Sequence, residues 1–598
     1  MIALLGMFEG EKVDVSAHLP IATQVALAGI VLLMAFFAVR PELWRRLWFD
    51  RVDPRPAACM RIFFGVVVLI TFTDLLKPTG PLDYSVARYL FTDDGLWLTD
   101  MARKNYAGQL KTQWDPEHGV ESWVDWFGIL YDKFCIFHMR SDPPFVFTLY
   151  GVMIATNIAM ILGWRTRVMT IITWILVENF YRTSPIFYTG GDTVVRVFLF
   201  LGMFARWGEA YSLDALRRRR KAILAGATAI PALRKIAAWP MRLMMLQLCI
   251  IYCATGLLKS GNTWADGTAL YYALNLDHFY RFPQQHPVTV AHFIGVLPGM
   301  SVFVRWWEVF FPLVAIGAAV NAFERERAAG TWPRAPLWRK GLSWALLFAT
   351  WGSGAFVAGL AAHYYTPPEV LKVLAPPVRD NLRVVVTVAV GALPVVLVAL
   401  YIAMRRYVPR VLTFIRHWVI GKRFWLGFGF LMHIGIDVGM NVGTFAEVMM
   451  AVYLCWLSGD EIEAFWRYVY SEPLKAGEGD RPVRTKPWKR RLLAPWDRLR
   501  YRKPGRRYVV RHHPSDASVR RVALLRVWDL GHRLEFVADP SVAAEKLAVQ
   551  VEDSSSTVYG DAAAGVLTKV LPGLLWLRPL RLVPGVGALA RMILRQRG

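Results

Sequence analysis

Charge is scarce in this chain. Asp, Glu, Lys and Arg make up 19% of its 598 residues, against 55% hydrophobic and 14% aromatic residues, with 25 Trp among them. That balance excludes an ordinary soluble domain, whose surface carries more charge and less aromatic area. Period-two alternation over ten-residue segments is also missing, which counts against a membrane β-barrel. A cleavable leader is not expected: Glu9, Glu11, Lys12 and Asp14 stand where a basic stretch would be, and no small-residue cleavage site follows the first apolar run. Cysteine is sparse too. Cys59, Cys135, Cys249, Cys253 and Cys455 form no paired framework, so no structural disulfide is expected. Cys249 and Cys253 share a helix face, but no His or second Cys pair accompanies them, so packing outweighs a soft-metal site.

What is present is a series of apolar runs, each able to cross a hydrocarbon core of about 30 Å as a helix. They fall near 19–39, 57–76, 144–163, 168–187, 193–204, 241–258, 302–323, 342–362 and 384–404. The stretch 424–458 reads as two short or kinked helices, because Gly435, Asp437, Gly439, Asn441 and Gly443 interrupt it. The expected fold is an all-α polytopic membrane domain of about ten or eleven transmembrane helices, followed by a small C-terminal α/β domain.

The net charge of +25 belongs to this topology rather than to nucleic acid binding. Basic residues cluster in alternate loops: Arg45, Arg46, Arg51 and Arg55; Arg165 and Arg167; Arg217 to Lys221; residues 324–340; and residues 405–423. Placing these loops in the cytoplasm satisfies every one of them and puts 77–143 and 260–300 outside. Between Arg481 and Arg511 stand 13 Lys or Arg and one acid, a solvated linker able to lie on anionic headgroups. Beyond it, 507–511, 534–537 and 546–553 read as strands, and 518–529, 561–571 and 586–595 as helices.

Ionisable groups within apolar spans cost about 2.5–3.5 kcal/mol each to insert, so each is a site candidate. Asp192 and Arg196 stand four apart and can pair on one helix face, as can Glu178 and Arg182. For the first pair a structural bridge and a functional role weigh equally; for the second, structure is favoured. His433, four residues before Asp437, reads as a packing or site-lining residue, and His138 as interfacial. Lys259 closes the apolar run from Met244 to Leu258. Such a lysine usually snorkels to the interface; facing a dry cavity it would become a usable base.

These residues also form a pattern. Trp164-Arg-Thr-Arg167, Thr183-Ser-Pro-Ile-Phe-Tyr-Thr-Gly-Gly-Asp192 with Arg196, Tyr211-Ser-Leu-Asp-Ala215, Gly256-Leu-Leu-Lys259 with Trp264 and Gly267, and His433 with Met440-Asn441 and Phe445 resemble the HTTM family. That family is the membrane module shared by vitamin K-dependent gamma-carboxylases and many bacterial proteins, and the resemblance spans about 54–458. It implies that Lys259 is the base that deprotonates a reduced quinone, whose reaction with oxygen gives the epoxide and drives glutamate carboxylation. The carboxylases carry a His where this chain has Asp192. A carboxylate cannot donate like an imidazolium and repels a developing anion, so carboxylation of glutamate is not implied.

The C-terminal segment resembles a second family. Val558-Tyr-Gly-Asp561, Leu571-Pro-Gly573, Trp576-Leu-Arg-Pro579 and Val583-Pro-Gly-Val586 with Ala590-Arg591 are similar to the DCC family of thioredoxin-like thiol–disulfide oxidoreductases. Ser515-Asp-Ala-Ser518 stands where that family has Cys-x-x-Cys. With no thiolate, disulfide exchange is impossible, and the implied role is a docking module. The organisation expected is therefore residues 1–53 with the first span, 54–458 as the HTTM-like membrane domain, 459–507 as a basic linker and 508–598 as a degenerate thioredoxin-like domain.

Two functions follow from these readings. One is an inner-membrane enzyme acting on a quinol with Lys259 as base and Asp192, Arg196 and His433 lining the site. The other is a non-catalytic membrane protein that binds lipid or a peptide or protein partner, of the export, toxin-maturation or immunity type.

Overall fold

The computed structural model describes residues 19–78, 85–95, 135–183, 189–225, 233–365 and 374–469, except 139, 260, 278, 280 and 282–285, together with parts of 508–571. It is mostly helical, with a small C-terminal sheet. Six described helices are long and apolar enough to cross a membrane: Leu19–Val39, Arg55–Asp74, Pro143–Leu162, Trp239–Leu258, Leu337–Ala362 and Leu382–Tyr407. A seventh crossing exists if Pro287–Phe293 and Val296–Phe310, bent by 78° to one another, count as one span. This is the architecture of a membrane-spanning protein.

The other expected spans are shorter or more charged. Thr166–Thr183 carries Arg167, Glu178 and Arg182, and Gly190–Gly202 has 13 residues. The single span expected at 302–323 is two helices, Val296–Phe310 and Leu313–Ala328. Pro312 separates them, since it has no N–H to continue the first helix. The segment 424–458 does fold as interrupted helices, Lys422–Gly439 and Phe445–Val452. Most of the expected outer loop 77–143, the basic linker and the last helix at 586–595 lie outside the described residues.

The chain divides into two compact units, residues 1–51 with 237–453 and residues 52–236 with 454–598. In the first, Leu19–Val39 packs on Leu337–Tyr365, which packs on Leu382–Tyr407. No residue in the most apolar window of Leu382–Tyr407 is buried, as suits a helix facing lipid tails. Charged side chains gather at one end of this unit. Arg46 pairs with Glu326 and donates to the Thr331 carbonyl at 2.7 Å. Arg339 donates to the Val39 carbonyl at 2.5 Å, Arg242 to the carbonyls of Arg46 and Leu47, and Arg416 lies 3.6 Å from Glu324. The basic loops after Val39, after Phe323 and after Met404 thus meet the start of Trp239–Leu258 on one face.

In the second unit, Arg55–Asp74 packs on Pro143–Leu162, which packs on Thr166–Thr183 and through it on Gly190–Gly202. Buried Asn157 donates to the Gly65 carbonyl at 2.9 Å, so a polar bond is satisfied between two apolar spans. In the same unit Phe72, Phe91, Tyr150 and Phe180 interlock edge to face.

The C-terminal sheet has four strands. Tyr508–His512 lies between Leu534–Ala538, which it pairs in parallel, and Leu547–Val551, which it pairs antiparallel; Thr557–Tyr559 flanks the latter antiparallel. Tyr508, Val510, Leu534 and Val549 meet Leu525, Ala563, Leu567 and Leu571 in one core. The three expected strands are present, and the fourth is added by the Val558-Tyr motif.

Candidate functional site

Trp239–Leu258 carries the strongest candidate at its end. Arg242 stands in its first turn at the basic face, and Lys259 closes it about 25 Å further along the axis, at 1.5 Å per residue. Lys259 Nζ lies 2.5 Å from Glu308 Oε2, and Thr255 Oγ1 donates to the same oxygen at 3.1 Å. The Lys259 ammonium also stands 5.4 Å from the Trp264 ring centre. Glu308 is 6% exposed and comes from the facing helix Val296–Phe310. The approach is close because residue 256 is glycine: a Cβ there would stand 2.6 Å from the Val309 nitrogen and 2.9 Å from Glu308 Cβ. Thus Gly256 sets the distance at which Lys259 meets its carboxylate.

Lys259, Thr255 and Tyr252 are spaced i, i−4 and i−7, so they form one polar stripe along the helix. The Tyr252 hydroxyl lies 2.7 Å from His433 Nε2 and hydrogen-bonds the Tyr453 hydroxyl. All three are buried, at 3%, 1% and 6% exposure for Tyr252, His433 and Tyr453. Trp307 and Phe311 wall the group, with ring centres 5.0 and 4.5 Å from Tyr252. His433 Nδ1 is buried and has no hydrogen-bond partner among the described residues. Asp437, its neighbour one turn on, lies 3.5 Å from Arg281.

Asp192 and Arg196 belong to the other unit. Asp192 closes a capping box: it accepts from the Thr189 N–H at 2.8 Å, while Thr189 Oγ1 accepts from the Asp192 N–H at 3.3 Å. Arg196 makes a two-pronged bond to Glu178, at 2.5 and 2.7 Å, and Arg182 reaches the same carboxylate at 2.7 Å. The Glu178–Arg182 pair read from spacing is present, and Arg196 completes a three-charge cluster with it. Of the four candidates, Lys259 and His433 share one unit and Asp192 and Arg196 the other.

Two of the motifs turn out to meet. Asp214 accepts from the N–H groups of Arg165 and Thr166 at 2.9 and 2.8 Å and from the Thr166 hydroxyl at 2.7 Å. Beneath them Arg61, fully buried, donates to the carbonyls of Trp207 at 2.7 Å and Tyr211 at 2.5 Å. Trp164-Arg-Thr-Arg167 and Tyr211-Ser-Leu-Asp-Ala215 therefore fasten one turn to another and have a structural task.

Sequence reasoning missed Glu308, Tyr252, Tyr453 and Arg61. Glu308 had a signal, since it is the lone acid in Val296–Phe310. The two tyrosines had none, because 201 residues separate them. Among the described residues no group of three or more His, Cys, Asp or Glu is placed to hold a metal ion. In the C-terminal segment, buried Ser518 donates to the Ala544 carbonyl at 2.6 Å, and the Val519 N–H to the Ser515 carbonyl at 2.9 Å. No family model matches the sequence, and no curated protein or solved structure does.

Proposed function

We propose that this chain is an integral membrane protein of carboxylase-like ancestry, in which the Lys259–Glu308 pair deprotonates a lipid-soluble quinol that molecular oxygen then converts to the epoxide. The observation that supports this most is the ion pair itself: an ammonium and a 6%-exposed carboxylate at 2.5 Å, at the end of an apolar helix. In this pair the Glu308 carboxylate takes the part of base that the family resemblance assigns to Lys259, and Lys259 is its counter-charge. The quinol O–H bond breaks as a carboxyl O–H bond forms on Glu308, and the quinolate oxygen takes the place of the carboxylate beside the ammonium. Stabilising that anion with a fixed charge is the largest help the site gives. Quinol and O₂ together then balance epoxide and water.

Glutamate carboxylation is not part of this proposal. Asp192 caps a helix where the family resemblance calls for an imidazole, and the cap already occupies both its functions, charge and acceptor. On this reading the basic end of the first unit faces the cytoplasm of a bacterial inner membrane, and Lys259 the opposite side. The C-terminal sheet, with its first strand between the second and third and its third strand reversed, supports a thioredoxin-like domain. Ser515 and Ser518 in place of thiols make it a docking module.

A second reading rests on Thr255. With Lys259 and Thr255 both bonded to it, Glu308 is held as a clamp between two helices, as in a non-catalytic lipid- or partner-binding protein. Epoxide formation from reduced menaquinone, in air and under argon, separates the two. Oxygen-dependent turnover lost in Lys259→Ala and Glu308→Gln, with both variants monodisperse, supports the enzyme. No turnover with several quinols removes it and leaves the clamp.

A further inference from the structure

We propose that the turns at one end of the second unit form a binding surface for anionic phospholipid headgroups, carried by Arg165, Arg167, Arg206, Arg217 and Lys221.

Backbone bonds bring these residues to one place. Asp214 accepts from the N–H groups of Arg165 and Thr166, and buried Arg61 donates to the carbonyls of Ile161, Trp207, Ala210 and Tyr211. The end of Pro143–Leu162, the start of Thr166–Thr183 and the loop after Gly190–Gly202 therefore meet, and the helix Leu213–Leu224 leaves from the same knot. On that helix Leu213, Arg217 and Lys221 are spaced four apart and all exposed, so they form one outward stripe. Arg165, Arg167 and Arg206 are exposed on the turns themselves. The charge is unbalanced. The two carboxylates of the knot are engaged, Asp214 by the turn and Glu209 by Arg218 at 2.5 Å. Among the described residues none of the five cations pairs with an acid.

A purely structural role explains the backbone here poorly. Arg165, Arg206 and Tyr211 are the three non-glycine residues with left-handed backbone among the described residues, at φ of 42°, 43° and 44°. Glycine adopts that conformation without a Cβ penalty and is the usual residue there. Two of the three positions carry an exposed arginine instead, and strain of this kind gathers at binding sites. The guanidinium groups are thus set where folding alone favours glycine.

Apolar side chains stand among the cations. Leu162, Trp164, Val168, Phe204 and Leu213 are exposed within four residues of one or another of them, and the Arg165 guanidinium lies 5.6 Å from the Trp164 ring centre. A free phosphate or a nucleic acid leaves those apolar groups in water. A phospholipid covers them with its acyl chains while its phosphate meets the guanidinium forks. Tryptophan where an apolar helix gives way to a basic turn marks the level of the headgroups.

Thermal unfolding of the full chain in a neutral detergent tests this, with dioleoylphosphatidylglycerol, dioleoylphosphatidylcholine or inorganic phosphate added. A ligand held by the folded state raises the unfolding temperature. Phosphatidylglycerol is expected to raise it, phosphatidylcholine and inorganic phosphate to leave it unchanged, and added salt to shrink the rise. The rise should vanish in a variant combining Arg165→Gly, Arg206→Gly, Arg217→Gln and Lys221→Gln, whose glycines keep the left-handed turns and so hold the lipid-free unfolding temperature. It should persist when an equal number of exposed arginines on the first unit is removed, by Arg325→Gln, Arg334→Gln, Arg406→Gln and Arg410→Gln. Equal stabilisation by phosphatidylcholine, an equal rise with inorganic phosphate alone, or equal losses in the two variants would each overturn the proposal. If the glycine variant does not fold, Arg217→Gln with Lys221→Gln on the outward stripe makes the same comparison, and an undiminished rise there counts against it.

Discussion

Gly429 and the Tyr453 hydroxyl occupy space that only one side chain can fill. A Cβ on residue 429 would overlap that hydroxyl and stand 2.9 Å from the Trp307 ring. Gly429→Ala therefore pushes Tyr453 away from Tyr252, and overpacking of this kind costs about 1–3 kcal/mol. Two residues earlier on the same helix, Gly427 has nothing within 4 Å of its added Cβ. Gly427→Ala gains helix propensity of up to about 1 kcal/mol. Thermal unfolding in one detergent is expected to fall for the first variant and hold or rise for the second. Equal shifts would show that helix propensity, not the tyrosine, governs both.

The contrast shows which features were legible. Leu19–Val39 and the end of Trp239–Leu258 follow from hydrophobic run length, and the strands at 508 and 534 from β-branched and aromatic spacing, because those signals are local. Lys259 was visible as a charge ending an apolar run. The Glu308 that gives it chemistry lies 49 residues on, and no periodicity links them. The Asp192–Arg196 spacing did suggest a pair; Thr189 three residues before Asp192 was the overlooked sign of a capping box. Six of the expected spans are long apolar helices among the described residues, while Pro312 and the charges of Thr166–Thr183 divide or shorten others that composition alone joins.

Arg61 is expected to be the most sensitive position of the second unit. Its guanidinium reaches the carbonyls of Ile161, Trp207, Ala210 and Tyr211, spanning both turns of the motif knot. Arg61→Met fills similar volume but strands buried carbonyls at about 1–3 kcal/mol each. The variant should give little monodisperse protein. Normal yield and an unchanged unfolding temperature would show that the carbonyls find other donors.

Acid should loosen the C-terminal sheet through Asp539. The Ser541 hydroxyl and N–H, with Arg511 beside them, hold its carboxyl below the usual value of 3.8. A depressed carboxyl contributes stability above its unfolded-state value and loses it as pH falls through the folded one. Hydrogen exchange in Leu534–Ala538, whose end Asp539 ties back through its N–H to the His512 carbonyl at 2.8 Å, should therefore quicken below about pH 4. Asp539→Asn should remove that extra acid sensitivity while leaving exchange at neutral pH faster than in the wild type. An identical acid profile in the variant would assign the effect to other carboxylates.

Lys259 and Glu308 should show strong non-additivity. Taking one partner from a buried pair leaves the other charge uncompensated, at about 3–5 kcal/mol, whereas replacing both with apolar groups of similar size is close to neutral. Lys259 keeps 22% of its side chain exposed, so its own removal strands Glu308 more severely than the reverse. Lys259→Met is therefore expected to destabilise more than Glu308→Leu, and the double variant less than either. Chemical denaturation of the purified protein in a single detergent gives all four corners of the cycle. Additive losses would mean that the two charges are each satisfied elsewhere, and the pair would then be neither clamp nor catalytic base.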